Sequence, residues 1–160
     1  MTDRPIRLLL VDDQDLVRLG LRRILRRRDG FDVVGECSDG DEVTAAVAES
    51  TPDVVLMDIR MPRMTGLEAL AALRERGEQA RVVMLTAKGR DSDVARGLAL
   101  GADAYLTKPF ATADLVQRMR ALPQLADVAS DLQNQGLQAF VQIDRAQASR
   151  RSSSVSAAAT

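Results

Sequence analysis

Five residues of this chain have types and placements that suit chemistry: the adjacent pair Asp12 and Asp13, then Asp58, Thr86 and Lys108. The chain contains no His, which removes Ser-His-Asp triads, His general bases and most zinc sites. Its single Cys, Cys37, excludes an intramolecular disulfide and any Cys-cluster metal site. Chemistry must therefore run on carboxylates, hydroxyls, amines and backbone groups. Taken one at a time, these residues have plainer roles. An Asp after a strand is commonly a helix N-cap, a role open to Asp13. A Thr at a strand end usually bonds the backbone, and a Lys before Pro is usually a surface charge. Together they are harder to explain that way. Three carboxylates gathered in one place repel one another and are costly to bury unpaired. A hard divalent cation resolves the repulsion, and Mg²⁺ takes carboxylate oxygens while keeping several of its waters. Lys108 supplies a second positive group.

The elements that must gather these residues are legible as two alternating textures. Short apolar runs recur at Ile6 to Val11, Phe31 to Gly35, Asp53 to Met57, Arg81 to Leu85 and Ala104 to Leu106. Between them lie stretches with apolar spacing of three and four. Apolar runs separated by helical patterns predict a parallel sheet covered on both faces, here a doubly wound five-stranded α/β domain. In such a sheet ligands bind at the C-terminal ends of the strands. Asp12, Asp13, Asp58, Thr86 and Lys108 all fall at those ends, so they converge on one crevice.

The helices are predicted as follows. The first runs from near Asp13 to about Arg28, with Val17, Leu21, Ile24 and Leu25 as its buried stripe. Arg18, Arg22, Arg26 and Arg27 lie mostly off that stripe and read as a solvated face rather than a nucleic-acid site. The second helix follows Ser38-Asp39-Gly40, where Asp39 and Glu42 have capping-box spacing, and Thr65 with Glu68 repeats that spacing before the third. The fourth covers about Asp91 to Leu100 and is closed by Gly101. The fifth covers about Thr112 to Leu122, with Pro123 discouraging continuation. Pro62 and Gly66 read as conformational: the one stiffens a turn and the other permits unusual dihedrals. Cys37 reads as a small, partly buried residue at a strand end.

The 160 residues amount to about one domain. Apolar residues make up 46% and charged residues 28%, with 22 basic against 23 acidic side chains. A near-neutral chain argues against a whole-protein nucleic-acid or membrane binder. No stretch is long and apolar enough to span a membrane, and the polar start from Met1 to Pro5 does not look like a signal peptide, so the expected address is the cytoplasm. Residues 123–160 are rich in Ala, Ser and Gln and predict a weak helix followed by disorder.

Four separated motifs then point to a family. VDD at 11–13, MDIRMPRMTG at 57–66, LTA at 85–87 and YLTKPF at 105–110 resemble, with the spacing of all five β-α units, the receiver domain of bacterial two-component response regulators. The resemblance covers residues 6 to about 121 and implies a flavodoxin-like (βα)5 fold over 1–122. It implies that Asp58 is the phosphoacceptor, charged near neutral pH and able to attack phosphorus without a general base. Asp13, Asp58 and the backbone carbonyl of Arg60 would bind Mg²⁺ directly, and Asp12 through a metal-bound water. Lys108 would pair with a phosphoryl oxygen and Thr86 would hydrogen-bond the phosphoryl group once it arrives. Thr86 and Tyr105 would form the switch that changes the surface of the fourth helix, fifth strand and fifth helix. Tyr105 on its own reads as an edge aromatic. Arg60 and Lys88 would fringe the site and tune phosphoryl lifetime, and Lys108-Pro109 would be cis.

The implied donor is a phosphohistidine on a sensor histidine kinase or phosphotransfer protein, which supplies the imidazole this chain lacks. Leu16 and the first-helix arginines would contact it, and a homodimer would use the switch surface. The tail from Pro123 shows no helix-turn-helix periodicity, so no DNA-binding domain is evident. It would be a dimerising helix, a linker to an output domain or a disordered segment. The chain is expected not to be an enzyme beyond its own phosphorylation and dephosphorylation. An aspartyl-phosphate hydrolase would need an Asp where Arg60 stands, and a flavin carrier would need a Ser/Thr/Gly-rich loop where Asp12-Asp13-Gln14-Asp15 stands. The alternative is a phosphate-independent interaction module that keeps the fold without the chemistry.

Overall fold

Among the described residues, the alternation of apolar runs and helical stretches produces five strands and five α-helices in strict succession. The computed structural model describes residues 4–87 and 90–132. The strands are β1 (Ile6–Val11), β2 (Phe31–Cys37), β3 (Val54–Asp58), β4 (Arg81–Ala87) and β5 (Ala104–Lys108). The helices are α1 (Asp15–Ile24), α2 (Val43–Ser50), α3 (Gly66–Glu75), α4 (Asp91–Ala99) and α5 (Thr112–Leu132). All strand pairs are parallel, in the order β2-β1-β3-β4-β5.

The period-2 geometry of the strands splits their apolar residues between two cores. Leu9, Val11, Val55, Met57, Val82 and Met84 pack with residues of α2 and α3, including Val47 and Leu70. Leu8, Leu10, Leu56, Val83 and Leu85 face the other way, onto Leu21 and Leu25 of α1 and Leu115 and Met119 of α5. Both faces are covered, which is why the strands read as continuous apolar runs. The α1 stripe forms as predicted: Leu21 and Leu25 are buried, and Val17 and Ile24 pack against the same core.

Three local expectations are corrected. The strand expected to stop at Gly35 continues to Cys37. Its register against β1 shifts between Leu8, opposite Val33, and Leu9, opposite Gly35, so Val34 is an extra residue in a bulge. A Cβ at Gly35 would meet Leu9 Cδ1 at 3.0 Å, so the glycine marks a close approach rather than a strand end. The fifth helix does not stop at Leu122 but runs through Pro123 to Leu132. Proline there removes one backbone donor, yet the helical backbone continues past it. The first helix is shorter than expected: it ends at Ile24 and a 3-10 turn over Arg27–Asp29 completes the connection to β2. The disorder expected at the chain's end falls on residues 133–160, outside the described residues. No helix among the described residues is long and apolar enough to cross a membrane.

Candidate functional site

β1 and β3 are neighbours in the sheet, so their C-terminal ends deliver Asp12, Asp13 and Asp58 to one place. Each of the three carboxylates offers an oxygen within 4.8 Å of the others. Asp12 is fully buried, Asp58 has a side chain 13% exposed, and Asp13 is exposed. Asp12 Oδ1 accepts from the Gln14 backbone N–H at 2.9 Å, which bends the chain into α1. Gln14, not Asp13, occupies the N-cap position of that helix, and Asp13 is left facing the cluster.

Lys108 arrives from the end of β5. Its Nζ donates to Asp12 Oδ2 at 3.0 Å and lies 3.6 Å from Asp58 Oδ2. The following Lys108-Pro109 peptide is cis, as the resemblance implied. One ammonium against three carboxylates leaves the cluster short of positive charge. The pKa of Asp58 is pushed from 3.8 to about 6. Burial is the main cause. The Lys108 ammonium and the Arg60 amide pull it down, while the Asp12 and Asp13 carboxylates add to the rise. Asp58 is thus a less complete anion near neutral pH than an ordinary Asp. The donor set is all hard oxygen, with a charge deficit that a divalent cation would fill, so the residues fit Mg²⁺.

Thr86 is 3% exposed at the end of β4, paired in register with Thr107 of β5, and its hydroxyl donates to the Ala87 carbonyl at 3.3 Å. Tyr105 is half-buried against the core beneath α2 and α3. Arg60 follows β3, but its guanidinium turns to α4, where Nη2 lies 3.4 Å from Asp93 Oδ2. Asp93 is nearly buried, and both residues line a cleft of about 450 Å³ that also reaches Asp13. Lys88, the other fringe candidate, lies outside the described residues.

The loop between Asp58 and α3 is held by close backbone packing. Ile59 N donates to Leu85 O at 3.1 Å, and Gly66 N donates back to Ile59 O at 2.8 Å. A Cβ at Gly66 would lie 2.2 Å from the Asp58 carbonyl oxygen. Gly66 is therefore required for close approach and not for an unusual dihedral, which corrects the sequence reading. Thr65 caps α3 as its spacing predicts, accepting from Glu68 N at 3.2 Å.

Sequence reasoning missed two supporting residues. Arg18, read as solvated, is only 13% exposed at its side chain; it donates to the Asp12 carbonyl and to Asp15, and its Nε reaches Glu36 Oε1 at 3.2 Å. Its place off the apolar stripe gave no hint, because Glu36 lies on β2. Asp39, read as a capping-box residue, accepts instead from the amides of Gly40, Arg63 and Met64. The adjacent Glu42 accepts from Ser38 Oγ at 2.8 Å, so no reciprocal box forms. Cys37 is buried more deeply than expected, and burial raises its thiol pKa to about 11, which leaves it unreactive.

Comparison with known proteins agrees with this geometry. The family model for the response regulator receiver domain matches residues 8–120. The chain is 44% identical over 118 residues to the response regulator MprA of Mycobacterium sp. (strain KMS), a match covering 74% of this chain and 50% of that protein. The chain thus spans about half the length of the curated relatives it matches. Among solved structures, a two-component response regulator of the LuxR family from Aurantimonas sp. SI85-9A1 aligns with TM-score 0.69 and 36% identity, covering 74% of this chain and 84% of that one. A CheX-CheY-BeF3-Mg²⁺ complex from Borrelia burgdorferi aligns with TM-score 0.69 and 30% identity over 74% of this chain and 90% of that one. Sheet order, acidic cluster and family match agree, and the chain belongs to the response regulator receiver domains of two-component signalling.

Proposed function

We propose that this receiver accepts a phosphoryl group on Asp58 from a phosphohistidine of a sensor histidine kinase or phosphotransfer protein. The observation that carries the reading is the convergence of Asp12, Asp13 and Asp58 with a lysine reaching two of them from β5. An Asp58 carboxylate oxygen forms the new P–O bond as the donor's P–N bond breaks, and the imidazole stays on the partner. Asp13, Asp58 and the Arg60 carbonyl would hold Mg²⁺, with Asp12 acting through a bound water. When bound, the ion screens the carboxylates and offsets charge on the transferring group. A relative's structure is named as a complex with Mg²⁺ and BeF3, in line with such a site.

Lys108, already near both Asp12 and Asp58, would take an oxygen of the incoming group. Thr86 would leave the Ala87 carbonyl to bond the phosphoryl group, and Tyr105 would move into the space. That rearrangement would alter α4, β5 and α5, the surface proposed for readout and for a homodimer. Arg118 of α5 donates to the Tyr105 carbonyl at 2.9 Å, a direct tie between two of those elements. The kinase would dock beside the site on α1, where Leu16 is 80% exposed. The domain would catalyse only its own phosphorylation and dephosphorylation, in the cytoplasm.

The test is incubation with Mg²⁺ and acetyl phosphate followed by intact-mass spectrometry. One added phosphoryl group is expected, lost in Asp58→Asn. No adduct on the wild type, where control receivers react, would favour a phosphate-independent interaction module.

A further inference from the structure

For the proposed cation site, the loop that follows Asp58 would have to hold the Arg60 carbonyl beside the carboxylates, and Pro62 is the single proline in its sequence, Ile59 to Thr65. Its near end is pinned to β4 and to Gly66. Its far end is pinned by a residue from a different loop. Asp39, 2% exposed in the connection between β2 and α2, accepts from Met64 N at 2.8 Å and Gly40 N at 2.7 Å through Oδ1. Through Oδ2 it accepts from Arg63 N at 3.0 Å. Both oxygens are therefore used on backbone amides, two of them 24 and 25 residues away in sequence. Burial alone would raise the Asp39 pKa, and the three amides together with the Arg63 charge hold it below the ordinary value, so the anion is the form the fold holds.

The two loops also touch backbone to backbone: a Cβ at Gly40 would lie 2.5 Å from the Met64 carbonyl oxygen. On the exposed side, the Arg63 guanidinium pairs with Asp41 at 2.8 Å and with Glu42 at 3.2 Å. These outer pairs are solvated and weak, whereas the Asp39 carboxylate is itself buried.

We infer that Asp39 is a positioning residue for the cation site: by holding Arg63 and Met64, it fixes the loop that carries the Arg60 carbonyl. It does not touch the cluster itself. The inference rests on the Mg²⁺ assignment proposed above, and metal binding can be read without any phosphoryl transfer.

The experiment is a calorimetric Mg²⁺ titration of the full chain, with the acetyl phosphate reaction followed across Mg²⁺ concentrations. Asp39→Ala is expected to weaken Mg²⁺ binding about tenfold or more, the scale seen when a residue supporting a metal ligand is removed. The phosphorylation rate should return close to wild type at saturating Mg²⁺. Asp39→Asn, which keeps one carbonyl acceptor, should fall between the two, and it carries the test if the alanine variant does not fold. Amide exchange at Arg63 and Met64 should speed up in both variants. Asp41→Ala, which breaks only the outer pairing, should leave Mg²⁺ affinity near wild type.

Folded Asp39 variants with wild-type Mg²⁺ affinity would overturn the inference. So would equal weakening in Asp41→Ala, or a rate loss that saturating Mg²⁺ does not restore. A wild type that binds Mg²⁺ but forms no adduct would sink the proposed function and leave this inference standing on the titration. A wild type that binds no Mg²⁺ would sink both.

Discussion

Replacing Asp58 by Asn should stabilise the folded domain, and increasingly so as pH rises. A carboxylate whose pKa is raised on folding binds its proton more tightly in the folded state. Its presence then favours folding fully below the unfolded value, and stability falls as pH rises towards the folded value. For Asp58 the window runs from 3.8 to about 6. The side chain is only 13% exposed, so solvent screening removes little of the effect. A shift of about two units corresponds to about 3 kcal/mol once the group is fully ionised. Integrating the same titration, about 1 kcal/mol is already lost at about pH 4.5 and the full amount by about pH 7.5. The stability advantage of Asp58→Asn should therefore widen by about 2 kcal/mol between those two conditions in EDTA. Urea unfolding followed by far-UV circular dichroism is the assay, since the chain has no Trp and one Tyr. Saturating Mg²⁺ should restore much of the lost stability to the wild type and little to the variant, because binding to the folded state alone stabilises by mass action. A gap that stays constant with pH in EDTA would refute the argument that burial and crowding of charge raise the Asp58 pKa.

Further expectations test other parts of the structure. Asp39 titrates in the opposite sense: its pKa is lowered on folding, so its contribution is full above 3.8 and lost as pH falls through the lower folded value. Acid unfolding of Asp39→Asn should lack that part of the slope, and identical acid titrations would contradict it. Leu56→Ala, at a fully buried site in the centre of β3, should cost about 2–5 kcal/mol in urea unfolding. Gly66→Ala should give a destabilised protein with impaired Mg²⁺ binding, since its Cβ meets the Asp58 carbonyl at 2.2 Å; native affinity by calorimetry would show that the loop can yield. The acyl-phosphate half-life should change in Arg60→Asn or Lys88→Glu, measured by mass spectrometry, and no change in either would remove both from the fringe. If Asp93 governs where the Arg60 side chain lies, Asp93→Asn should alter that half-life only while Arg60 is present.

The order of elements and the edge of the sheet where chemistry gathers are local properties of the chain. Periodicity and capping are local effects, carried by residues a few positions apart, so the apolar runs, the α1 stripe and the Thr65 cap could all be read directly. The acids at the ends of β1 and β3 were legible for the same reason. Other features depend on distance through space, which the strand order β2-β1-β3-β4-β5 sets and local spacing does not. Lys108 meets Asp12 across 96 positions of sequence, and burial, with the Lys108, Asp12 and Asp13 charges and the Arg60 amide, sets the charge of Asp58. Asp39 had the spacing of a cap, yet two of its three amide partners came from the loop after β3. Gly66 looked like a flexible turn, and its reason is an approach of two backbones. Burial and Coulomb interactions act between neighbours in space, so tertiary structure alone decided which acid is buried, which is exposed, and what holds the loop between Asp58 and α3 in place.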